Sequence, residues 1–96
     1  MRVLVLDEAT ADLAEGFRFY ERQGEGLGEY FLDSLWSDIL SLRIHGGVHA
    51  VHRGYHRLLA KRFPFAIYYL VENNMVRVRA ILDCRRDPGW IAGRLN

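Results

Sequence analysis

The chain has 96 residues, 50% of them hydrophobic and 26% charged, with a formal net charge of +1; this is the balance of one folded domain, not of a disordered chain. At this size roughly 60–65% of the unfolded surface can be buried, enough for about one helical layer over one sheet. The single cysteine, Cys84, excludes an internal disulfide and a CxxC zinc or redox centre, and a reducing cytoplasm is the expected setting. The N-terminal apolar run is too short for a signal segment, and no stretch approaches ~18 apolar residues, so neither export nor a membrane span is expected.

The small net charge conceals a division. Residues 1–48 hold four arginines against nine acidic residues, whereas residues 49–96 hold nine cations against three acids. Only Lys61 among those nine is a lysine. The guanidinium fork suits phosphates and carboxylates held in fixed geometry, so an anionic partner is expected for the second half.

In chain order, Arg2 to Leu6 is β-branched and apolar, a short strand ended by Asp7 as N-cap with Glu8 in the first helical turn. Leu6, Ala9, Leu13, Phe17 and Tyr20 then recur at helical spacing up to the glycine-punctuated run QGEGLG. A second helix carries Leu27, Phe31, Leu35, Ile39 and Leu42 on one face, widened by Leu32 and Trp36, and stops at His45-Gly46-Gly47. Two antiparallel helices of roughly eighteen residues each result.

From Tyr55 the period changes to two. Tyr55 to Arg62 reads as a strand whose alternation leaves open whether Arg57 and Lys61, or His56 and Arg62, face outward. After the turn at Phe63-Pro64, Phe65 to Val71 and Met75 to Asp83 form a hairpin around Asn73-Asn74, residues that tolerate the positive φ of a type I′ turn. Counting outward places Tyr69 opposite Val78, Ile67 opposite Ala80 and Phe65 opposite Leu82 on an apolar face. Leu70 then meets Arg77, Tyr68 meets Arg79 and Ala66 meets Ile81 on the other. Asp87-Pro88 is a helix start, followed by Trp90, Ile91 and Leu95.

All four histidines, His45, His49, His52 and His56, lie within twelve residues. Spacings of four, three and four would align them on a helix as metal ligands. Gly46, Gly47 and Gly54 interrupt that helix, and no nearby Cys, Asp or Glu completes a ligand set, so a surface connection without metal is expected. Only His56, at a strand start, is kept as a participant in chemistry. Arg77 and Arg79 have their own plain reading as solubilising residues on an outer face. Clustering of the cations, Tyr68 opposite Arg79, and Arg85-Arg86 just before Trp90 favour instead a surface that grips an anion.

The order strand, helix, helix, three strands, together with Lys61-Arg62-Phe63-Pro64-Phe65-Ala66-Ile67-Tyr68-Tyr69, the terminal Arg85-Arg86-Asp87-Pro88 and the Tyr20 to Gly28 stretch, resembles the RelE/ParE superfamily of bacterial toxins, closest to its ParE or plasmid-stabilisation branch. The resemblance spans nearly the whole chain. It implies an α+β fold, a small antiparallel sheet with an N-terminal helical hairpin on one face and a short C-terminal helix. It also implies a cytoplasmic toxin of a type II toxin–antitoxin system, neutralised by a cognate antitoxin and touching DNA only through that complex, with no cofactor.

Within that superfamily the targets are DNA gyrase in ParE-like members and ribosome-bound mRNA in RelE-like ones. Cleaving RNA needs proton-transfer groups as well as cations. RelE-like nucleases draw such a group from near the C-terminus, where this chain has only Trp90, and Asp83 stands where relatives often have histidine. A nuclease would have to use His56, Lys61, Tyr68, Arg79 and Asp83. Gyrase inhibition is therefore the expected activity, with mRNA cleavage and a non-toxic antitoxin-binding relative as alternatives. Target or antitoxin binding is assigned to Arg57, Lys61, Arg62, Tyr68, Arg77, Arg79, Arg85, Arg86 and Trp90.

Overall fold

A computed structural model describes all of residues 1–96, in the order β1 (Arg2–Val5), α1 (Asp7–Gln23), α2 (Leu27–His45), β2 (Val51–His52), β3 (Tyr55–Leu59), β4 (Phe65–Glu72), β5 (Met75–Asp83) and α3 (Pro88–Leu95). One five-stranded sheet has the order β1-β5-β4-β3-β2. It is antiparallel except at β1, which runs parallel to β5, from which the α1–α2 hairpin and three further strands separate it in the chain.

The helical hairpin covers one face. Ala9 and Leu13 of α1 and Phe31, Leu35, Ile39 and Leu42 of α2 are buried with Phe65, Ile67, Tyr69, Val76, Val78 and Ile81 of the sheet. Gly16 lets the helices approach, since a Cβ there would lie 2.5 Å from the Phe31 ring. The QGEGLG turn is held by Glu21, whose carboxylate accepts from Gly26 N–H at 3.2 Å and Gly28 N–H at 2.9 Å. Asp7 is not the N-cap: Leu6 occupies that position without a side-chain cap, and Asp7 joins Glu8 in the first turn, where both acids face the positive end of the helix dipole. Trp36 does not widen the buried stripe of α2 and is 41% exposed.

The Asn73-Asn74 turn has φ of 52° and 60°, the left-handed pair that a type I′ hairpin requires. A second such turn, Arg53-Gly54 with φ of 54° and 85°, folds part of the histidine stretch into the β2–β3 hairpin, an element the sequence pattern did not indicate.

The β4–β5 register follows the expected count through Val71/Val76, Leu70/Arg77 and Tyr69/Val78, then shifts by one. Arg79 is the extra residue of a bulge, so Tyr68 pairs with Ala80, Ile67 with Ile81, Ala66 with Leu82 and Phe65 with Asp83. The expected Tyr68/Arg79, Ile67/Ala80, Ala66/Ile81 and Phe65/Leu82 pairs do not form. The shift sends Ile81 to the helical core and Ala80 and Leu82 to the opposite face. There they are buried with Ala66, Tyr68 and Leu95, with Ile91 and Tyr55 packed alongside. The outer face is thus largely apolar, and α3 is its cover. Asp87 starts α3 as expected, accepting from Trp90 N–H at 3.1 Å, with Pro88 at the first position.

Candidate functional site

Beside α3 the cover is incomplete. A cleft of about 440 Å³ opens between α3 and the β2–β3 hairpin, lined by His52, Arg53, Arg57, Tyr68, Cys84, Arg86, Pro88 and Ile91. Three guanidinium groups line it, and no carboxylate does. None of the three makes an ion pair within the chain. Each position follows from local structure. The left-handed turn lifts Arg53 at the hairpin tip, pairing with β4 places Arg57 next to Tyr68 on the outer face, and Arg86 stacks on Trp90 with its guanidinium carbon 3.7 Å from the ring centroid. Partial burial pushes the Cys84 thiol up, only partly offset by Arg57, so it stays a neutral thiol near neutral pH. The cleft offers planar cations, an aromatic ring and an imidazole to an anionic ligand.

Of the nine residues assigned to binding, Arg57, Tyr68 and Arg86 meet in this cleft, with Trp90 behind Arg86. The others lie elsewhere. Arg79 does not point outward as a free cation: it donates to Glu8 Oε2 at 3.0 Å and to the Arg94 carbonyl at 3.1 Å, because the bulge turns it toward α1 and α3. Arg77 sits between Leu4 of β1 and Leu70 of β4. Arg85 pairs with its neighbour Asp83, giving 2.7 Å and 3.0 Å hydrogen bonds. Lys61 and Arg62 are exposed in the β3–β4 turn, where the Lys61 backbone N–H donates to Asp38.

The five groups that a nuclease would need do not converge. His56 lies on the helical side of the sheet, stacked on Tyr69, and donates from Nδ1 to the His49 carbonyl at 2.7 Å. Tyr68 is on the other face, across from Arg57. Asp83 is engaged by Arg85, whose hydrogen bond holds its carboxyl below the usual carboxylate range and disfavours proton uptake.

The histidines divide likewise. No three His, Cys, Asp or Glu side chains come together in a geometry that would hold a metal ion. His49 Nδ1 lies 2.5 Å from the Tyr69 hydroxyl, which also accepts from Gly47 N–H at 3.0 Å. Burial, together with His56 and His45, pushes the His49 pKa below its ordinary value, which favours a neutral ring; with its hydrogen on Nε2, that ring accepts a hydrogen bond from the Tyr69 hydroxyl at Nδ1. His52 alone faces the cleft.

Sequence reasoning missed His52 and Arg53, which it left in a featureless connection, and Asp12, a buried acid on α1. The signal for Asp12 was present: it falls on the stripe of Ala9, Leu13 and Gly16 at helical spacing.

No protein-family model and no curated protein sequence matches the chain. Among solved structures it is similar to a chain of a chromosomal ParDE TA system from P. aeruginosa, with a TM-score of 0.69 and 19% identity over 84% of this chain and 92% of that one. With its mostly antiparallel sheet, helical hairpin on one face and short C-terminal helix, the chain has an α+β, RelE/ParE-like fold.

Proposed function

We propose that the chain is the toxin of a type II toxin–antitoxin pair, that a cognate antitoxin neutralises it in the cytoplasm, and that it inhibits DNA gyrase. The likeness to a ParDE structure supports the toxin–antitoxin part of this reading. One observation carries the choice of activity: His56, Lys61, Tyr68, Arg79 and Asp83 lie on different faces or are held in internal pairs, so that set supplies no assembled acid and base for cutting RNA. The carboxylate-free cleft suits an acidic antitoxin segment, and DNA contact then comes through the antitoxin.

A second reading, mRNA endoribonuclease, draws on His52 and Tyr68 sharing that cleft with Arg53, Arg57 and Arg86. Purified chain added to a gyrase supercoiling reaction and, in parallel, to a translation reaction separates the two. Loss of supercoiling with intact mRNA is expected; cut mRNA with unaffected supercoiling overturns the gyrase assignment. Cells that keep dividing on expression, while the antitoxin complex still forms, would make the chain a non-toxic relative.

A further inference from the structure

α2 is apolar on two opposite sides, and only one is covered. Phe31, Leu35, Ile39 and Leu42 are fully buried, whereas Trp36, Leu40 and Ile44, spaced by four and so aligned on the far side, are 41%, 49% and 80% exposed. A continuous line of large apolar side chains is unlike singly scattered ones and marks a contact surface. Charge is ordered along the same line. Glu29 and Asp33 precede Trp36, Arg43 lies beyond Leu40 beside Ile44, and none of the three makes an ion pair within the chain.

That order, acid then apolar then base, is complementary to itself when reversed. Two copies of α2 laid antiparallel about a two-fold axis at position 38 place Asp33 against Arg43 of the second copy, and Trp36 against Leu40 of the second copy, each twice. Antiparallel alignment also opposes the two helix dipoles favourably. An acidic partner would meet Glu29 and Asp33, and a basic one Arg43, so a second copy satisfies the face better than a partner of either charge. We infer that the chain self-associates through α2 as a two-fold symmetric antiparallel pair, with Trp36 and Leu40 at its centre and an Asp33–Arg43 ion pair at each end.

The helix spans 19 residues, about 28 Å, and one helix-on-helix contact falls short of the roughly 800 Å² per partner of a standard interface. Association is therefore concentration-dependent, on the order of micromolar. Sedimentation equilibrium of the 96-residue chain across the micromolar range should show the mass rising from 11.2 kDa toward twice that value. Asp33→Arg and Arg43→Asp should each weaken the dimer about tenfold or more by setting like charges opposite, and the double charge swap should restore it. Circular dichroism of all variants guards against misfolding. A chain that stays monomeric, leaving the stripe to a different protein, overturns the inference. So does a dimer indifferent to the single reversals, or a double swap no tighter than the singles.

Discussion

Asp12 of α1 grips Arg94 of α3 with both carboxylate oxygens, Oδ1 at 2.8 Å from Nη1 and Oδ2 at 2.9 Å from Nη2. Oδ2 also accepts from Ile81 N–H at 3.0 Å, so one buried carboxylate ties the first helix, the fifth strand and the last helix together. This joint lies at the point where the acidic first half meets the basic second half, and it fixes α3 over the outer face of the sheet.

Asp12→Ala should cost about 2–4 kcal/mol in chemical denaturation, because it leaves the Ile81 N–H and a partly buried guanidinium without a partner. Asp12→Asn keeps an acceptor for Ile81 and should cost less. Equal losses for the two variants would assign the whole effect to the paired charge and none of it to packing or to the Ile81 acceptor.

Arg79→Ala should lower stability by about 1–2 kcal/mol, through the lost hydrogen bond to the Arg94 carbonyl. The Glu8 contact adds little, since Glu8 is mostly exposed and its pair is screened. Hydrogen exchange should speed up in α3 more than in α2. An unchanged melting curve would return Arg79 to the role of a free surface cation.

The contrast between Arg77 and Arg79 shows where sequence reasoning stops. Strand period, the Asn73-Asn74 turn and the Asp87 cap are local chemistry, and they place both helices, the hairpin and α3 correctly. A bulge is not local chemistry. It arises because Ala80, Ile81 and Leu82 must serve two apolar faces once α3 covers the second, and that cover is known only from tertiary packing. One extra residue therefore moved Arg79 from a binding surface into an internal pair. The site was partly readable for a related reason: Arg57 and Arg86 announce themselves by charge, whereas Arg53 depends on a left-handed turn within a stretch dominated by histidine and glycine.

If the cleft is the anion grip, Arg57→Ala and Arg86→Ala should each weaken binding of the cognate antitoxin about tenfold or more. Each should also flatten the dependence of affinity on salt. Arg57 forms no ion pair within the chain, so its replacement should leave unfolding within about 0.5 kcal/mol of the parent. Arg77→Ala, outside the cleft, serves as the comparison. Loss of binding on Arg77→Ala with none on Arg57→Ala would move the interface to the other end of the sheet.

Acid should loosen the histidine stretch before it unfolds the domain. His49 is held neutral by burial and by its neighbours His56 and His45, so its folded pKa lies below the ordinary 6.5. Between those values the unfolded chain binds more protons than the folded one, and stability falls as pH drops below about 6.5. The proton that charges His49 also removes the acceptor for the Tyr69 hydroxyl, while Gly47 N–H donates to the same oxygen. Hydrogen exchange at Gly47 should therefore accelerate on acidification, relative to the intrinsic rate, while the amides of β4 and β5 stay protected. Tyr69→Phe should cost about 1–2 kcal/mol and largely abolish that pH response. A Gly47 amide whose protection is unchanged from neutral to mildly acidic pH would show that His49 does not control the stretch.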